Sequence, residues 1–364
     1  MSTAVSEEFQ QAAEELLSGT VRQEEIRAEL AEGFSASLWG RVMETGWTEV
    51  LVPEDFGGLG LGLAELGPIL KVAGRHLVPG PLIEHATVLP LLATAGLDLE
   101  DERLDELRRG TRKLAVAGLG ESVDKLPRLT DGTLSGTAMN VRYGDLADDL
   151  LVFCSDEQGL LAALIPTDRD AVAVAQRRSL DPIASTADIN FPGTAVAPSE
   201  LLSDAAARTL GDRAIALQRL LVSCELSGIA ERSLEMAVSY AKEREQFGRP
   251  IGAFQAVQQL LAQAAKQSHG IDCLCRESLA AADRSESSIG HIAIVTKAGV
   301  AAPSREVVEC SLQVHGGIAF TIEHEMHGYY THALSLEALH GTTRELTKEL
   351  GHGLIGGSSS WPEW

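Results

Sequence analysis

The stretch YAKEREQFGRPIGAFQAVQQLLAQAA, residues 240–265, decides the fold of this chain. A helical pattern runs into Arg244 and breaks at residues 248–252, where a proline and two glycines interrupt it. A second helical pattern begins at Phe254, with apolar residues at helical spacing. The stretch therefore predicts two long helices joined by a short turn. Arg244 and Phe247 stand just before this turn without an obvious catalytic partner.

The composition is that of an acidic globular protein. The 364 residues include 30 basic and 52 acidic side chains, giving a net charge of −22 at pH 7, which disfavours nucleic acid or an anionic membrane surface as a partner. No apolar run reaches the ~18 residues that a membrane helix needs, and the acidic N-terminus lacks a signal-peptide pattern. We therefore expect a soluble, cytoplasmic protein. The five cysteines are scattered and odd in number, as is typical of reduced thiols.

The pattern of apolar residues changes twice along the chain. Helical patterns dominate residues 1–111, short β-type runs separated by turn signals fill residues 112–203, and long helical patterns return in residues 204–364. The order predicts an α+β fold with an N-terminal helical domain, a middle β domain and a C-terminal helical bundle.

A second stretch, CSLQVHGGIAFT at residues 310–321, places Gln313 before the pair Gly316–Gly317. Adjacent glycines expose backbone N–H groups that can cradle a phosphate. Gln255 begins the helix that follows the Arg244 turn. Together with Arg244 and Phe247, these residues predict a holder for the sugar-phosphate half of a dinucleotide. The alternative for Arg244 is an exposed cation that satisfies the last carbonyls of its helix.

These two stretches resemble the C-terminal signatures of the acyl-CoA dehydrogenase family, and VLVPEDFGGLGLGLAELG, residues 50–67, resembles its P-E-x-[YF]-G-G-x-G segment. The resemblance implies N-terminal helices, a middle β-barrel-like domain and a C-terminal four-helix bundle. It also implies FAD as the cofactor, tetramers, an acyl-CoA thioester as the substrate of α,β-dehydrogenation in lipid β-oxidation, and an electron-transfer flavoprotein as the acceptor. The residues implied to hold FAD bound mainly by a neighbouring subunit are Arg244, Phe247, Gln255, Gln313, Gly316 and Gly317.

The sequence departs from the family at the catalytic base. The reaction needs a group that removes the α-proton while a hydride leaves the β-carbon. The family's Y-E-G-T tetrad falls on residues 339–342, which puts His340 in the place of the acid. The other base position known in the family falls on Gln218, just before Arg219. Glutamine cannot accept the proton, whereas His340 is open to two interpretations, as a base or as a filler of a vestigial pocket. Arg219 is similarly open to a catalytic or a structural role.

The β region departs further. The family motif L-x-G-x-K-x-[WF]-[IV]-[TS]-[NS]-G, whose aromatic and hydroxyl contact the flavin, falls on LSGTAMNVRYG at residues 134–144. Asn140 replaces the aromatic residue and Arg142 replaces the hydroxyl. The flavin contacts within this chain are thus degraded, while those implied to reach a neighbour are intact.

This asymmetry predicts the partner subunit of a heterotetrameric α2β2 acyl-CoA dehydrogenase, similar to the actinobacterial enzymes that shorten steroid side chains. The homologous subunit would supply the base and the ring contacts, and the resemblance extends to bulky or steroid side-chain CoA thioesters. The alternatives are a self-sufficient homotetrameric flavoenzyme with His340 as its base and a non-catalytic scaffold that binds CoA thioesters. His324 and His327 are too sparse to predict a metal site.

Overall fold

The computed structural model describes residues 2–20, 34–97 and 101–356. Helices at both ends flank a sheet, which confirms the predicted α+β class. The α-helices in this part of the chain are α1 (Ser2–Thr20), α2 (Ala36–Glu44), α3 (Leu63–His76), α4 (Leu82–Thr94), α5 (Asp101–Arg108), α6 (Asp204–Glu243), α7 (Gln255–Arg284), α8 (Ile289–His315), α9 (Met326–Ala338) and α10 (Thr343–Gly356).

The strands occupy the middle of the sequence, apart from one small hairpin. They are β1 (Leu114–Ala117), β2 (Arg128–Thr130), β3 (Thr133–Arg142), β4 (Asp149–Ser155), β5 (Leu160–Pro166), β6 (Ala173–Arg177), β7 (Thr186–Ala195) and β8 (Leu201–Leu202), followed by β9 (Glu245–Gln246) and β10 (Arg249–Pro250). The first eight form one sheet in the order β6-β7-β3-β2-β4-β5-β8, with β1 parallel to β4. Strands β1–β8 all lie in the stretch where the sequence shows β-type runs, residues 112–203, but β3, with 10 residues, is longer than the short runs that the pattern indicates.

The described chain divides into two compact units. The first comprises residues 1–22, 63–78 and 219–364, and the second comprises residues 23–62 and 79–218. This division cuts across the domain boundaries expected from the sequence, so the three-part division stays a prediction. No helix among the described residues is long and apolar enough to cross a membrane.

The second unit is built around both faces of the sheet. Strand β4 is buried throughout, and its side chains alternate between two apolar clusters because successive side chains of a strand point to opposite faces. Leu150 and Val152 pack in a cluster with Phe191, while Leu151 and Phe153 pack in the other. That other cluster includes residues of α4 and the start of α6.

The first unit brings helices very close together. A Cβ added at Gly228 of α6 would lie 1.9 Å from the Lys71 carbonyl oxygen, and one at Gly74 of α3 would lie 2.1 Å from the Glu225 carbonyl oxygen. Two glycines therefore let α3 and α6 approach at backbone distance. The charged groups beside this crossing are paired, since Lys71 Nζ lies 2.7 Å from an oxygen of Asp272.

Candidate functional site

Three helix ends meet at one end of the first unit: the C-terminus of α6, the N-terminus of α7 and the C-terminus of α8. The rings of Tyr240 and His315 stack with their centroids 4.6 Å apart, and Val314 packs with Ala237 and Ala241. The Cys310 thiol contacts the Leu260 carbonyl oxygen. These contacts bring together the two sequence stretches that were predicted to hold a dinucleotide.

A two-residue hairpin forms the break between α6 and α7. Strands β9 and β10 are joined by Phe247 and Gly248, whose φ angles of 53° and 76° are both left-handed, as type I′ turns require. Phe247 is 93% exposed. Its ring centroid lies 6.2 Å from that of Phe254 in an edge-on arrangement. An aromatic residue in a turn position that favours glycine indicates a role outside the chain's own packing.

Arg244 is fixed by its backbone and free at its side chain. Its N–H donates to the Tyr240 carbonyl, and its carbonyl accepts from the Ile251 N–H, each at 2.8 Å. The exposed guanidinium makes no hydrogen bond or ion pair with any residue that the structure describes. The interpretation of Arg244 as an internal helix cap therefore finds no support in these contacts.

The two predicted glutamines are exposed at the same end of the unit. Gln255 is the first residue of α7 and Gln313 lies near the end of α8. The residue before α7, Phe254, provides no side-chain cap. The amides of the first turn of α7 consequently face outward at the positive end of a helix, which is a suitable place for an anion.

The glycine pair leaves room for a ligand. Gly316 ends α8 with φ 72°, a conformation that favours glycine. A Cβ at either Gly316 or Gly317 would meet nothing within 4 Å among the described residues. Since Gly317 has neither a left-handed backbone nor a close neighbour, packing within this chain does not explain it. The space beside its Cα is therefore open to a bound group.

The residues after the glycine pair present an apolar surface, here called the end patch. It consists of Ile318, Phe320 and Ile322, which are all exposed. Exposed apolar side chains that lie close together indicate a surface covered by another molecule. The end patch and Phe247 belong to the same end of the first unit.

The two base positions have different surroundings. Gln218 is 3% exposed, and its Nε2 donates to Thr87 Oγ1 at 3.1 Å in the second unit. His340 lies in the first unit with a left-handed φ of 57°, and its carbonyl accepts from Arg219 Nε at 2.9 Å. Burial lowers the pKa of Arg219. Arg219 thus holds the backbone of the turn that carries His340.

Sequence reasoning missed Lys297, which supports the helix leading to that turn. Its fully buried ammonium donates to the carbonyls of Leu336 and Glu337 at 2.8 and 3.0 Å. Burial lowers its pKa to about 7. These carbonyls lie at the C-terminus of α9, where they have no partner within the helix. The signal in the sequence is a single lysine in a mostly apolar helix.

The end of β3 is also unusual. The pairing of β3 with β7 shifts register between Ala138 and Val141, which marks a bulge. Asn140 lies in this bulge with φ 55°, and its N–H donates to Asp188 Oδ1. Arg142 Nε donates to Glu84 Oε1 at 3.0 Å. Sequence reasoning also missed Glu84, because only the fold brings α4 to this strand.

His324, one of the two histidines considered for a metal site, takes part in other contacts. His324 Nδ1 accepts from the Met326 N–H, and its ring packs edge-on against His315. No group of three or more potential metal ligands occurs among the residues that the structure covers.

Comparison with known proteins defines the class. Residues 210–353 match the family model "Acyl-CoA dehydrogenase, C-terminal domain", and residues 3–102 match the corresponding N-terminal domain. Acyl-CoA dehydrogenase FadE27 of Mycobacterium tuberculosis is 30% identical over 88% of both chains. The chain belongs to the acyl-CoA dehydrogenase family, which confirms the predicted resemblance and the oxidoreductase class.

Particular relatives refine this assignment. FadE34 of M. tuberculosis is 31% identical over 99% of this chain, which spans about half of that relative's length, or 48%. Among solved structures, the Tcur3481–Tcur3483 steroid ACAD is 26% identical, with a TM-score of 0.82 and coverage of 99% of this chain and 100% of that one. The ChsE4–ChsE5 complex of M. tuberculosis has a TM-score of 0.85 at 24% identity, covering 97% and 98% of the two chains, a likeness of fold.

The family cofactor is confirmed as FAD, since solved members include a glutaryl-CoA dehydrogenase in complex with FADH2. The residues of this chain fit one half of that cofactor. The exposed guanidinium of Arg244 and the open backbone at Gly317 suit a phosphate. The segment around Asn140 and Arg142 does not fit the flavin ring, because it holds a bulge and an ion-paired arginine where the motif has an aromatic and a hydroxyl residue.

Proposed function

We propose that this chain is one subunit of a hetero-oligomeric FAD-dependent acyl-CoA dehydrogenase. In this proposal the chain contributes contacts to a flavin seated in a homologous partner, and the partner supplies the catalytic base and the ring contacts. The assembly oxidises the α,β bond of an acyl-CoA thioester and passes electrons to an electron-transfer flavoprotein. A cytoplasmic location belongs to the same proposal.

The observation that carries the proposal is the contrast between outward and inward groups. Arg244, Phe247 and Gly317 are exposed. The Arg244 guanidinium has no hydrogen-bond or ion-pair partner among the described residues. Phe247 stays 93% exposed although its ring meets Phe254 edge-on, and a Cβ at Gly317 would meet nothing within 4 Å. The Arg142 guanidinium, in contrast, forms an ion pair with Glu84 inside the chain. In a chain with a complete flavin site, the residue at position 142 would instead be free to contact the flavin ring.

The base positions support the same division of labour. Gln218 has no proton-accepting carboxylate, and its amide is hydrogen-bonded to Thr87. Proton abstraction from the thioester would then require a carboxylate from another chain. Bound FAD supplies the hydride acceptor, while the groups of this chain hold its phosphate side and cover it from water.

The relatives add two lines of support. One chain of the ChsE4–ChsE5 complex and one chain of the Tcur3481–Tcur3483 steroid ACAD resemble this chain in fold, and both structures are named for two components. FadE34 is about twice as long as the region it shares with this chain, which leaves room for a second domain of similar size. The word "steroid" in the name of one relative makes a bulky or steroid side-chain CoA thioester the substrate class to test first.

Co-expression with a homologous dehydrogenase chain tests the proposal. We expect the co-purified complex to hold one FAD per pair of unlike chains, and this chain alone to hold none, as measured by flavin absorbance against protein concentration. A chain that is purified alone with one FAD per subunit and full dehydrogenase activity would refute the proposal.

One observation favours a second candidate, a self-sufficient homotetrameric enzyme with His340 as its base. The left-handed backbone at His340 is held by Arg219, and strained backbone is often found at active sites. The His340→Ala variant separates the two candidates. If the partner supplies the base, kcat of the complex changes less than about twofold; a loss of 10²-fold or more would favour His340 as the base.

A further inference from the structure

The pair Glu84–Arg142 is a buried ion pair in the second unit. The side chains of Glu84 and Arg142 are only 6% and 13% exposed. The guanidinium also lies over the ring of Tyr143, with its carbon 5.3 Å from the ring centroid. The pair therefore fills space inside the unit and does not decorate its surface.

Three segments close around this pair. The Tyr143 hydroxyl donates to the Ile183 carbonyl at 3.2 Å and accepts from the Gly80 N–H at 3.4 Å. The Tyr143 N–H donates to the Ser185 carbonyl. These contacts tie the end of β3 to the segment that leads into α4 and to the loop before β7. Arg142 is thus enclosed by a network that holds its position.

The local structure carries costs that packing alone does not explain. Tyr143 has a left-handed φ of 52°, which disfavours a bulky side chain, whereas asparagine tolerates the φ of 55° found at Asn140. Glu84 Oε2 is buried and has no hydrogen-bond partner among the described residues. A buried ion pair contributes little net stability compared with apolar side chains of the same volume. An ion pair with one unsatisfied carboxylate oxygen, next to the strained backbone of Tyr143, is better explained by what it prevents than by the stability it adds.

We infer that the Glu84–Arg142 pair closes this chain's own flavin-ring seat by filling its volume. The inference rests on the proposed function. Arg142 stands at the motif position of a small hydroxyl residue, and its longer side chain runs from there to Glu84. The ring of a flavin and the guanidinium of Arg142 would then compete for one space. The closed seat leaves the chain able to contribute only to a flavin held by its partner.

The test uses riboflavin, which presents the ring without the phosphates, and the full chain purified alone. The small double variant Glu84→Ala with Arg142→Ser removes both the charges and the volume. We expect it to bind riboflavin at least tenfold more tightly than the wild type, measured by quenching of flavin fluorescence. The bulky double variant Glu84→Met with Arg142→Met is the matched control, because it removes the charges but keeps the volume, and it should bind no better than the wild type.

Three results would overturn the inference. The first is that the wild type binds riboflavin as tightly as the small variant does. The second is that a small variant shown to be folded by circular dichroism gains no riboflavin affinity. The third is that the bulky variant gains as much affinity as the small one. If the small variant does not fold, Glu84→Gln with Arg142→Ser replaces it, with the same expected gain. Failure of this test leaves the flavin count of the two-chain complex unaffected, so the proposed function is judged separately.

Discussion

Phe247 and His340 illustrate how single residues in this chain depart from what local stability favours. Both have left-handed backbones in the described structure although neither is glycine. Phe247 is also almost fully exposed, so its ring gains little from burial within the chain. Residues under such local strain are candidates for function, because the strain is kept only where something else depends on it.

The Phe247→Gly variant should separate stability from cofactor binding. Glycine suits the left-handed turn, so the free energy of unfolding of the chain should change by less than about 1 kcal/mol. The lost aromatic contact should weaken FAD retention by the two-chain complex several-fold, which equilibrium dialysis would measure. Ile355→Ala, at another exposed apolar residue, is the control. Unchanged FAD retention in Phe247→Gly would argue against a role for this ring.

Lys297 makes the stability of the chain depend on pH. Its pKa is about 7 in the folded protein, against 10.5 for an ordinary lysine. Between these values the unfolded chain binds the extra proton, so folding stability rises as pH increases from about 7 toward 10. The slope contributed by this group is at most about 1.4 kcal/mol per pH unit.

The Lys297→Met variant should lose this contribution. Urea unfolding at pH 6.5, 7.5 and 8.5 would show a smaller rise of stability with pH than in the wild type. The methionine fills similar volume but leaves the Leu336 and Glu337 carbonyls without their donor, so the variant should also be less stable at pH 8.5. An identical pH dependence in both proteins would show that Lys297 does not titrate in this range.

At the scale of elements, helix ends and helix crossings place the functional groups. The C-terminus of α8 needs Gly316, because its φ of 72° and ψ of −153° form a backbone conformation essentially restricted to glycine, whereas Gly317 has no such local demand. The crossing of α3 and α6 needs Gly74 and Gly228 because backbone atoms occupy the space of a Cβ. Glycine therefore has three uses in this unit: backbone conformation at Gly316, close helix packing at Gly74 and Gly228, and an open surface at Gly317.

The glycine pair gives a matched comparison. Gly316→Ala should destabilise the chain by about 1 kcal/mol, since φ is 72° there. Gly317→Ala should leave thermal stability almost unchanged, because its Cβ meets nothing within 4 Å, but it should reduce FAD retention by the complex. Differential scanning calorimetry and flavin counting check the two effects. Full FAD retention in Gly317→Ala would mean that its backbone does not contact the cofactor.

The helix crossing gives a second comparison. Gly228→Ala would bring a methyl group within 1.9 Å of the Lys71 carbonyl oxygen, so we expect a loss of at least about 2 kcal/mol in urea unfolding. Gly270→Ala, inside α7 with nothing within 4 Å, should instead stabilise by up to about 1 kcal/mol through its higher helix propensity. A tolerated Gly228→Ala would mean that α3 and α6 can separate at little cost.

At the scale of the whole molecule, the acidic chain places an exposed cation, Arg244, where a phosphate is expected. The net charge is −22, and an anionic ligand is repelled by such a chain unless local groups attract it. Arg244, the first turn of α7 and the glycine pair meet this requirement at one end of the first unit. Because these groups face outward, we expect the chain to act in a complex with a partner subunit.

The Arg244→Ala variant tests this at the level of the assembly. A hydrogen bond between a guanidinium and a phosphate contributes about 1.5–3 kcal/mol. The dissociation constant of FAD from the complex should therefore rise about tenfold or more. The mass of the complex by light scattering should stay the same. Arg276→Ala, at an exposed arginine of α7, should change neither quantity. If the Arg244→Ala complex retains FAD like the wild type, the proposed contact between Arg244 and the FAD phosphates loses its main support.

The sequence by itself determined the family and the α+β order, and it predicted the group formed by Arg244, Phe247, Gln255, Gln313 and the glycine pair. These features are local: a helix break, a two-residue turn and a glycine cap are specified within a few residues, and the motifs preserve them. The full length of strand β3 is not evident from the sequence, because most of its residues are exposed and the buried ones do not alternate regularly.

Only the tertiary structure decided what surrounds the base positions and the ring segment. Glu84 and Arg142 are 58 residues apart in sequence, Lys297 and Leu336 are 39 apart, and Arg219 and His340 are 121 apart. Nothing in the local pattern of either member specifies such a pair. It forms because folding removes both groups from water, and a buried charge or carbonyl then requires a partner from whichever element packs against it.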